Sequence, residues 1–405
     1  MADSLETRPA AKRVLSVARK DKRAAESMIK GLSLDDQVVL ICETPVARRA
    51  TMLELLETPE AVIPLLPEAE LCFTVKGVGL MDGSWIMEHA TITQLVACAD
   101  LDAWDGMTPS AASLGTWLEI FAEAGEETLL RAGQSIDAEL WVLFLRERIF
   151  VELKPNDDES WQVPVGGQTL DGQFYYIAKA DKDDVAAIGQ LLQTLFTRDY
   201  WLYFRVLQGV MWEMDTDLEE WAIRWRTGRL EDLGFPSWDE SMRIYGFLRP
   251  DVRSDIAAED IGLTGGGWDL PVWMPPLPAT RDAQHAVFRA AAELDADERR
   301  TFFFGFISLA NKVATADGLP LGDIETLPKA IEKVAVLASL GLEFIARERG
   351  LDLAAVVRRT QLERLFRVGA NLDRATAERD RVSYQEQLER SLEKAEKNQE
   401  DEQIQ

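Results

Sequence analysis

The sequence has very few residues of the types on which histidine and cysteine chemistry depends. Its 405 residues include two histidines, His89 and His285. Neither belongs to an HExxH pair, and neither stands at metal-ligand spacing from a cysteine. The nucleophile-elbow pattern GxSxG is also missing. We therefore expect no catalytic residue, cofactor-binding residue or metal ligand, and no bound cofactor.

Cysteines and long hydrophobic runs are scarce as well. Cys42, Cys72 and Cys98 are odd in number, widely spaced and flanked by apolar residues, which predicts buried free thiols and no disulfide framework. The longest strongly apolar stretches, 140–145 and 302–309, are far shorter than the roughly 20 residues of a spanning helix. With no apolar run after the N-terminal charges to indicate a signal peptide, we expect a cytoplasmic protein without a membrane span.

Basic residues are outnumbered, with 44 Lys and Arg against 70 Asp and Glu, for a net charge of −26. Such a surface repels phosphate backbones and excludes a general nucleic-acid-binding function. The N-terminal arm, residues 1–32, is the exception, because it carries eight basic and four acidic side chains. Its apolar residues recur at near-helical spacing, which predicts an amphipathic helix. This helix is either a solvated first helix or one that docks on the acidic body or on a partner.

What the sequence does contain, from residue 33 to 149, is a repeated signal for the start of a helix. Thr–Pro or Leu–Pro pairs recur at 44–45, 58–59, 66–67 and 108–109 between segments rich in Leu, Ile, Val and Trp. A threonine at the N-cap accepts a bond from a free backbone N–H, and proline suits the first helical position. The pairs are unevenly spaced, so we predict an irregular stack of short helices without a strict repeat.

The segments after residue 149 differ in composition and in predicted secondary structure. Short β-rich runs at 150–153, 161–165 and 174–178, separated by turn residues, predict an antiparallel sheet of two or three strands. The fold class is therefore mainly α: an irregular multi-helical, superhelix-like protein with a small antiparallel β insertion. The predicted divisions after the N-terminal arm are a short-helix stack (33–149), the β insertion (150–180), a Trp-rich helical region (181–260), a Gly/Pro loop (261–280), a C-terminal helical region (281–370) and a charged tail (371–405).

Seven of the 12 tryptophans fall between residues 200 and 275. Trp221 and Trp225 are four residues apart and should share one face of a helix. We expect the helical tryptophans to pack in the core, because tryptophan brings a large apolar area into any core. Trp268 and Trp273 instead lie on the Gly/Pro loop, where exposed rings would mark a candidate interaction surface.

Four runs carry a resemblance to a known family. They are residues 71–79 (LCFTVKGVG), 101–105 (LDAWD), 339–343 (SLGLE) and 365–369 (LFRVG). Over about residues 33–370 the chain resembles an uncharacterised bacterial family, a domain of unknown function, which supplies no catalytic residue. The short-helix half is also similar in style to the cytoplasmic helical domain of magnesium transporters and to flagellar switch proteins. That second likeness implies a role in regulation or assembly.

Two functions remain open at this point. The first is a cytoplasmic scaffold or regulatory protein–protein interaction module with an unknown protein partner, which could form homo-oligomers. The second is an enzyme of unrecognised type, with a carboxylate-based site under the loop at residues 262–280.

Overall fold

The chain is mainly helical, as predicted. The computed structural model describes residues 8–156, 160–179, 185–249 and 277–378. Contacts divide the chain into two compact units. The described residues of the first unit fall within Met1–Ser237 and Ala314–Pro328, and those of the second within Trp238–Trp268, Leu277–Val313 and Lys329–Gln405.

Short turns join most of the helices. The α-helices up to residue 232 are α1 (Arg8–Ala18), α2 (Lys22–Ile29), α3 (Leu34–Glu43), α4 (Arg49–Leu53), α5 (Pro59–Val62), α6 (Glu68–Val78), α7 (Ser84–Glu88), α8 (Ile92–Asp102), α9 (Ala111–Glu123), α10 (Glu126–Ser135), α11 (Ala138–Arg148), α12 (Val185–Arg198), α13 (Tyr200–Trp212) and α14 (Asp215–Asp232). The later ones are α15 (Trp238–Met242), α16 (Ala286–Ala291), α17 (Ala296–Ala316), α18 (Thr326–Arg349), α19 (Leu353–Arg359) and α20 (362–378). Single 3-10 turns lie at Val46–Arg48, Ile63–Leu65, Met81–Gly83 and Arg243–Tyr245. In the described part of the chain, no helix is both long enough and apolar enough to cross a bilayer.

The N-terminal arm forms two amphipathic helices, α1 and α2. Val14 on α1 and Ala25 and Ile29 on α2 are buried, and α1 packs on both α2 and α3. Asp21 caps α2 by accepting a bond from the backbone N–H of Ala24 at 3.1 Å. The apolar side of the arm is therefore buried within its own unit, while its charged side faces solvent.

Most of residues 34–148 form short helices, but the predicted N-cap role of the threonines before proline is wrong. Thr44 ends α3 instead of starting a helix, and Thr58 precedes α5 without a side-chain cap bond. Thr108 lies in a strand, and α9 is capped by Ser110 instead. The physical reason is that two of these threonines have other partners: the hydroxyl of Thr44 donates to the carbonyl of Leu40 within α3, and Thr108 pairs with Asp105 in a strand.

The first unit also contains two small antiparallel sheets. Strands β1 (Trp104–Asp105) and β2 (Thr108–Pro109) form one, and β3 (Ile149–Leu153) and β4 (Phe174–Ala178) form the other. The β insertion is thus confirmed with two strands.

The run at 161–165 does not form a strand, so the third predicted strand is wrong. Trp161 instead covers the hairpin from the side. Its indole N–H donates to Glu152 at 2.8 Å, and its ring meets the edge of Tyr175 at 4.9 Å between centroids. The chain then turns at Gly166, whose φ of 78° is disfavoured for other residues, and beyond the turn Gln168 makes a single antiparallel bridge with Tyr176 of β4.

One ion pair is entirely buried in the first unit. Arg49 on α4 lies 2.7 Å from the carboxylate of Glu70 on α6, and both side chains are buried. Arg49 also donates to the carbonyls of Cys42 and Thr44 and to the hydroxyl of Thr74. Several donors of the guanidinium are thus satisfied, which offsets part of the cost of removing its charge from water.

The three cysteines are free and buried, as predicted. Burial raises the pKa of the Cys42 thiol to about 12. Burial also raises the pKa of Cys98, and a hydrogen bond with Cys72 adds to this effect. Since the thiolate is the reactive form, the raised pKa values disfavour reaction of Cys42 and Cys98 while the protein is folded.

We expect the native protein to leave all three cysteines unmodified by a chromogenic disulfide reagent at about pH 8, near the pKa of a free thiol. In concentrated guanidinium chloride all three should react. The released chromophore gives the number of accessible thiols in each case. Rapid stoichiometric labelling in native buffer would contradict this expectation.

In the second unit, α18 and α20 cross with their backbones in contact. A Cβ atom added at Gly341 would overlap the carbonyl of Leu365, and one at Gly369 would overlap the carbonyl of Leu337. These glycines belong to the runs 339–343 and 365–369, so the crossing explains why both runs contain glycine. Glycine is the only residue without a Cβ atom, and the close contact between the two helices leaves no room for one.

Replacing Gly341 with Ala should destabilise the protein by about 2–3 kcal/mol or more, because backbone atoms cannot move aside as a flexible side chain can. The matched control is Gly305→Ala on α17, where the new Cβ atom would make an ordinary 3.5 Å contact with Leu362. The control should be neutral or slightly stabilising, since alanine favours helix. Urea unfolding followed by circular dichroism measures both, and equal stabilities for the two variants would contradict the prediction.

Candidate interaction surface

Helix α13 presents aromatic side chains to solvent. Trp201, which is 78% exposed, and Trp212 lie 11 residues apart, about three helical turns, so they share one side of the helix. The opposite side carries the buried residues Tyr203, Val206 and Leu207 and packs on α11 and α12. The outward position of these tryptophans therefore follows from the burial of the other face.

Helix α14 carries a second aromatic pair. Trp221 and Trp225 are 45% and 49% exposed, and their rings stack with centroids 6.0 Å apart. The guanidinium of Arg224 lies over the Trp221 ring, 5.3 Å from its centroid. Leu218 and Ala222 on the inward side are buried. The pair thus forms an apolar surface that already binds one cation.

The predicted shared face of Trp221 and Trp225 is confirmed, but core packing of the tryptophans in this region is wrong. Fully buried tryptophans lie elsewhere, as Trp117 and Trp141. For α14 the physical reason is that its inward side is occupied by Leu218, Ala222 and Leu230 and by two arginines that bind buried acceptors.

The sequence predicted an interaction surface at Trp268 and Trp273. Both residues lie outside the described part of the chain, so this hypothesis remains a prediction.

Arg146 of α11 fixes the corner between α13 and α14. It donates to the carbonyls of Val210, Gly209 and Glu213 at 3.2, 2.6 and 2.8 Å, and it pairs with the carboxylate of Asp215. A cation at the C-terminus of one helix and an acid at the N-terminus of the next both suit the helix dipoles. One side chain therefore fixes where α13 ends and where α14 begins.

Arg229 attaches α14 to the buried part of the unit. It binds Asp100 of α8 with two bonds of 2.6 and 2.9 Å, and Asp137 with two bonds of 3.0 and 2.6 Å. Asp100 is almost completely buried. Two bidentate bonds define the position of the guanidinium more closely than a lysine could.

Arg226, one turn earlier, adds to this attachment. It donates to the backbone carbonyls of Asp100 at 2.7 Å and of Gly106 at 2.9 Å, and its guanidinium lies 4.6 Å from the centroid of Trp104. Burial lowers the pKa of Arg226 to about 10, which leaves it charged at neutral pH.

Burial also changes the pKa of the carboxylate in this network. It raises the pKa of Asp100 and outweighs the bonds from Arg229, which lower it. For Arg229 burial acts to lower the pKa, but its hydrogen bonds to Asp100 and Asp137 outweigh this and raise it. These groups are bound to one another and hold α14 in position.

Four exposed carboxylates of α14 form no ion pair with a described residue: Asp217, Glu220, Glu231 and Asp232. Asp217 and Asp232 lie on the same side of the helix as the aromatic pair, and Glu220 and Glu231 lie about a third of a turn further round. We call these four residues, together with Trp221 and Trp225, the α14 face. It combines two rings with four carboxylates, and the exposed Arg224 lies between the rings and two of the carboxylates.

The two N-terminal family runs meet at a second polar cluster. Asp102 of run 101–105 pairs with Lys76 of run 71–79 and accepts a bond from the indole of Trp117 at 3.0 Å. The backbone of Gly322 packs against it. This arrangement joins α6, α8 and α9. Among the described residues, no group of three or more His, Cys, Asp or Glu side chains is arranged to hold a metal ion.

Fold and surface together define a mainly helical protein with a small antiparallel hairpin and exposed aromatic helix faces. By comparison with family models, the chain belongs to a family of unknown function, DUF6178, whose model matches residues 26–396. The resemblance to an uncharacterised family is therefore confirmed. No curated protein and no solved structure matches the chain, so the likeness to magnesium-transporter and flagellar-switch domains stays a prediction.

The α14 face was missed because tryptophan was assigned to the core on its size alone. A signal was present in the sequence, since Leu218, Ala222, Arg226 and Arg229 follow one another at helical spacing. That line is the buried side of the helix, and it leaves Trp221 and Trp225 beside it, facing solvent.

Replacing Arg229 with Met should destabilise the protein by about 3–5 kcal/mol at neutral pH, because Asp100 is then left buried without its partner. Loss of the cation raises the pKa of Asp100 further, so the folded variant binds a proton more tightly than the unfolded chain does. The loss of stability relative to the wild-type protein should therefore become smaller as the pH is lowered.

Urea unfolding at neutral and at mildly acidic pH measures this change. The control is Arg205→Met, which breaks an exposed ion pair with Glu139 and should cost less than about 1 kcal/mol at either pH. A deficit for the Arg229 variant that stays constant or grows in acid would show that the buried Asp100 charge is not its cause.

Proposed function

We propose that this protein is a scaffold or regulatory protein–protein interaction module and that its partner binds the exposed aromatic side chains of α13 and α14. The observation that supports this most directly is the stacked, half-exposed pair Trp221 and Trp225 on a helix held in place by Arg226 and Arg229. Tryptophan is enriched among the residues that dominate binding energy at interfaces.

Rigid mounting strengthens the proposal. A partner that binds ordered rings loses less conformational entropy than one that must first order them. The rings of α14 are held by stacking and by Arg224, and the helix itself by bidentate bonds to buried acceptors. Such a surface is prepared for binding before the partner arrives.

We place the protein in the cytoplasm, with a protein and not a nucleic acid as its partner. The free, buried cysteines support the first point, since a reducing compartment keeps thiols unpaired. The net charge of −26 supports the second. The alternative function, an enzyme with a site under the loop at residues 262–280, concerns a segment that lies almost entirely outside the described residues and remains a prediction.

Replacing Trp221 and Trp225 together with Ala tests the proposal. The rings are half exposed, so we expect a loss of stability of only about 1 kcal/mol and a loss of partner binding of about 2 kcal/mol, roughly thirtyfold in affinity. Urea unfolding measures the first. Quantitative mass spectrometry of proteins co-purified from the native host measures the second.

The matched control is Trp238→Ala, which removes a tryptophan of similar exposure from α15 in the second unit. The control should keep its co-purified proteins, and a double variant that also keeps all of them would contradict the proposed surface. A loss of stability of several kcal/mol would show instead that the two rings act as core.

A further inference from the structure

The charged side of the N-terminal arm is the counterpart of the α14 face. Seven basic side chains on or beside α1 and α2 are exposed, namely Lys12, Arg13, Arg19, Lys20, Lys22, Arg23 and Lys30. Lys30 pairs with Glu57 at 3.2 Å. The other six form no ion pair with any described residue. Unpaired cations are thus concentrated on one pair of helices in a chain whose net charge is −26.

Helix packing fixes the direction of these cations. The buried residues Val14, Ala25 and Ile29 hold the other side of the arm against its own unit. The cations are therefore displayed on a folded surface. The exposed side of the arm also carries an apolar residue, Met28, which is 37% exposed.

The α14 face has the complementary chemistry. It offers four unpaired carboxylates and two ring faces, and Arg224 already shows that a guanidinium binds on Trp221. Lysine and arginine gain energy both from the carboxylates and from the aromatic rings. In the structure of one chain both surfaces are exposed, so neither satisfies the other within that chain.

We propose that the α1–α2 arm of one copy docks on the α14 face of a second copy. This inference rests on the proposed function and names the partner of that surface as the protein itself. The contact joins two different patches, so it either closes reciprocally in a two-fold dimer or propagates head to tail into a chain or a larger ring. Because the contact depends on opposite charges, it weakens as salt is added.

Sedimentation velocity of the full chain over a range of concentrations tests self-association. At low ionic strength, about 0.03 M, the weight-average mass should rise with concentration above the 45.5 kDa of one chain. At about 0.5 M salt the association should be at least tenfold weaker. A single 45.5 kDa species at every concentration and salt level would overturn the proposal.

Charge reversal in the arm removes one half of the contact. Lys20→Glu, Lys22→Glu and Arg23→Glu combined should abolish association, and acidic residues at the first turn of α2 suit its dipole, so the fold is kept. The charge-matched control combines Arg281→Glu, Arg347→Glu and Arg374→Glu, three exposed arginines of the second unit. Equal weakening by both triple variants would attribute the effect to net charge and overturn the proposal.

Mixing two defective variants gives the sharpest result. The arm variant retains its α14 face, and the Trp221→Ala, Trp225→Ala variant retains its arm. Each alone should remain monomeric, whereas an equimolar mixture should form a heterodimer, because one intact arm and one intact α14 face are then present. Circular dichroism and urea unfolding confirm that each variant is folded. A mixture that stays monomeric would overturn the proposal.

The remaining outcomes separate this inference from the proposed function. Wild-type protein that remains monomeric, but co-sediments through its arm with vesicles containing phosphatidylserine, would assign the arm to a lipid surface and overturn the inference. Monomeric protein whose Trp221→Ala, Trp225→Ala variant loses a co-purified partner would overturn the inference and leave the proposed function standing. Self-association that survives the tryptophan changes, without loss of any partner, would overturn both.

Discussion

The buried carboxylate of Asp100 is the fixed point on which the position of α14 depends. It accepts two bonds from Arg229, and its own backbone carbonyl accepts a bond from Arg226. A carboxylate with so little access to water is stable as an anion only while those donors remain in place. The helix that supplies the donors is therefore held at one distance and in one rotation, and that rotation turns Trp221 and Trp225 toward solvent.

The first unit uses arginine in this way more than once. Arg49 joins α4 to α3 and α6 through backbone carbonyls and Glu70, and Arg146 joins α11 to the corner between α13 and α14. A buried ion pair contributes little net stability relative to well-packed apolar residues, since desolvation offsets the attraction. A planar guanidinium does, however, specify direction through several bonds at once. Each short helix in such a stack makes few apolar contacts. Bonds from arginine are therefore needed to fix how the helices are oriented.

Helix content, the buried thiols and the β hairpin could be predicted from the sequence because each depends on local composition. The threonines before proline could not, since their role depends on whether the chain ends or begins a helix there. The outward position of Trp221 could not be predicted from its size, because it is decided by the partners of Arg226 and Arg229, more than 80 residues away in the chain. Gly341 and Gly369 were recognised only as family runs, since nothing local shows that two helices touch there.

Exposed aromatic residues on a helix held this firmly have a direct consequence for binding. Had α14 been free to rotate, its tryptophans could have turned inward to gain burial, and an arginine could have turned outward into water. Asp100 and Asp137 prevent that exchange, because it would leave their carboxylates without Arg229. The apolar area of the rings is thus withheld from the protein's own core. Under the proposed function this area is buried against a partner, and the carboxylates on the exposed side of the helix favour a partner that carries positive charge.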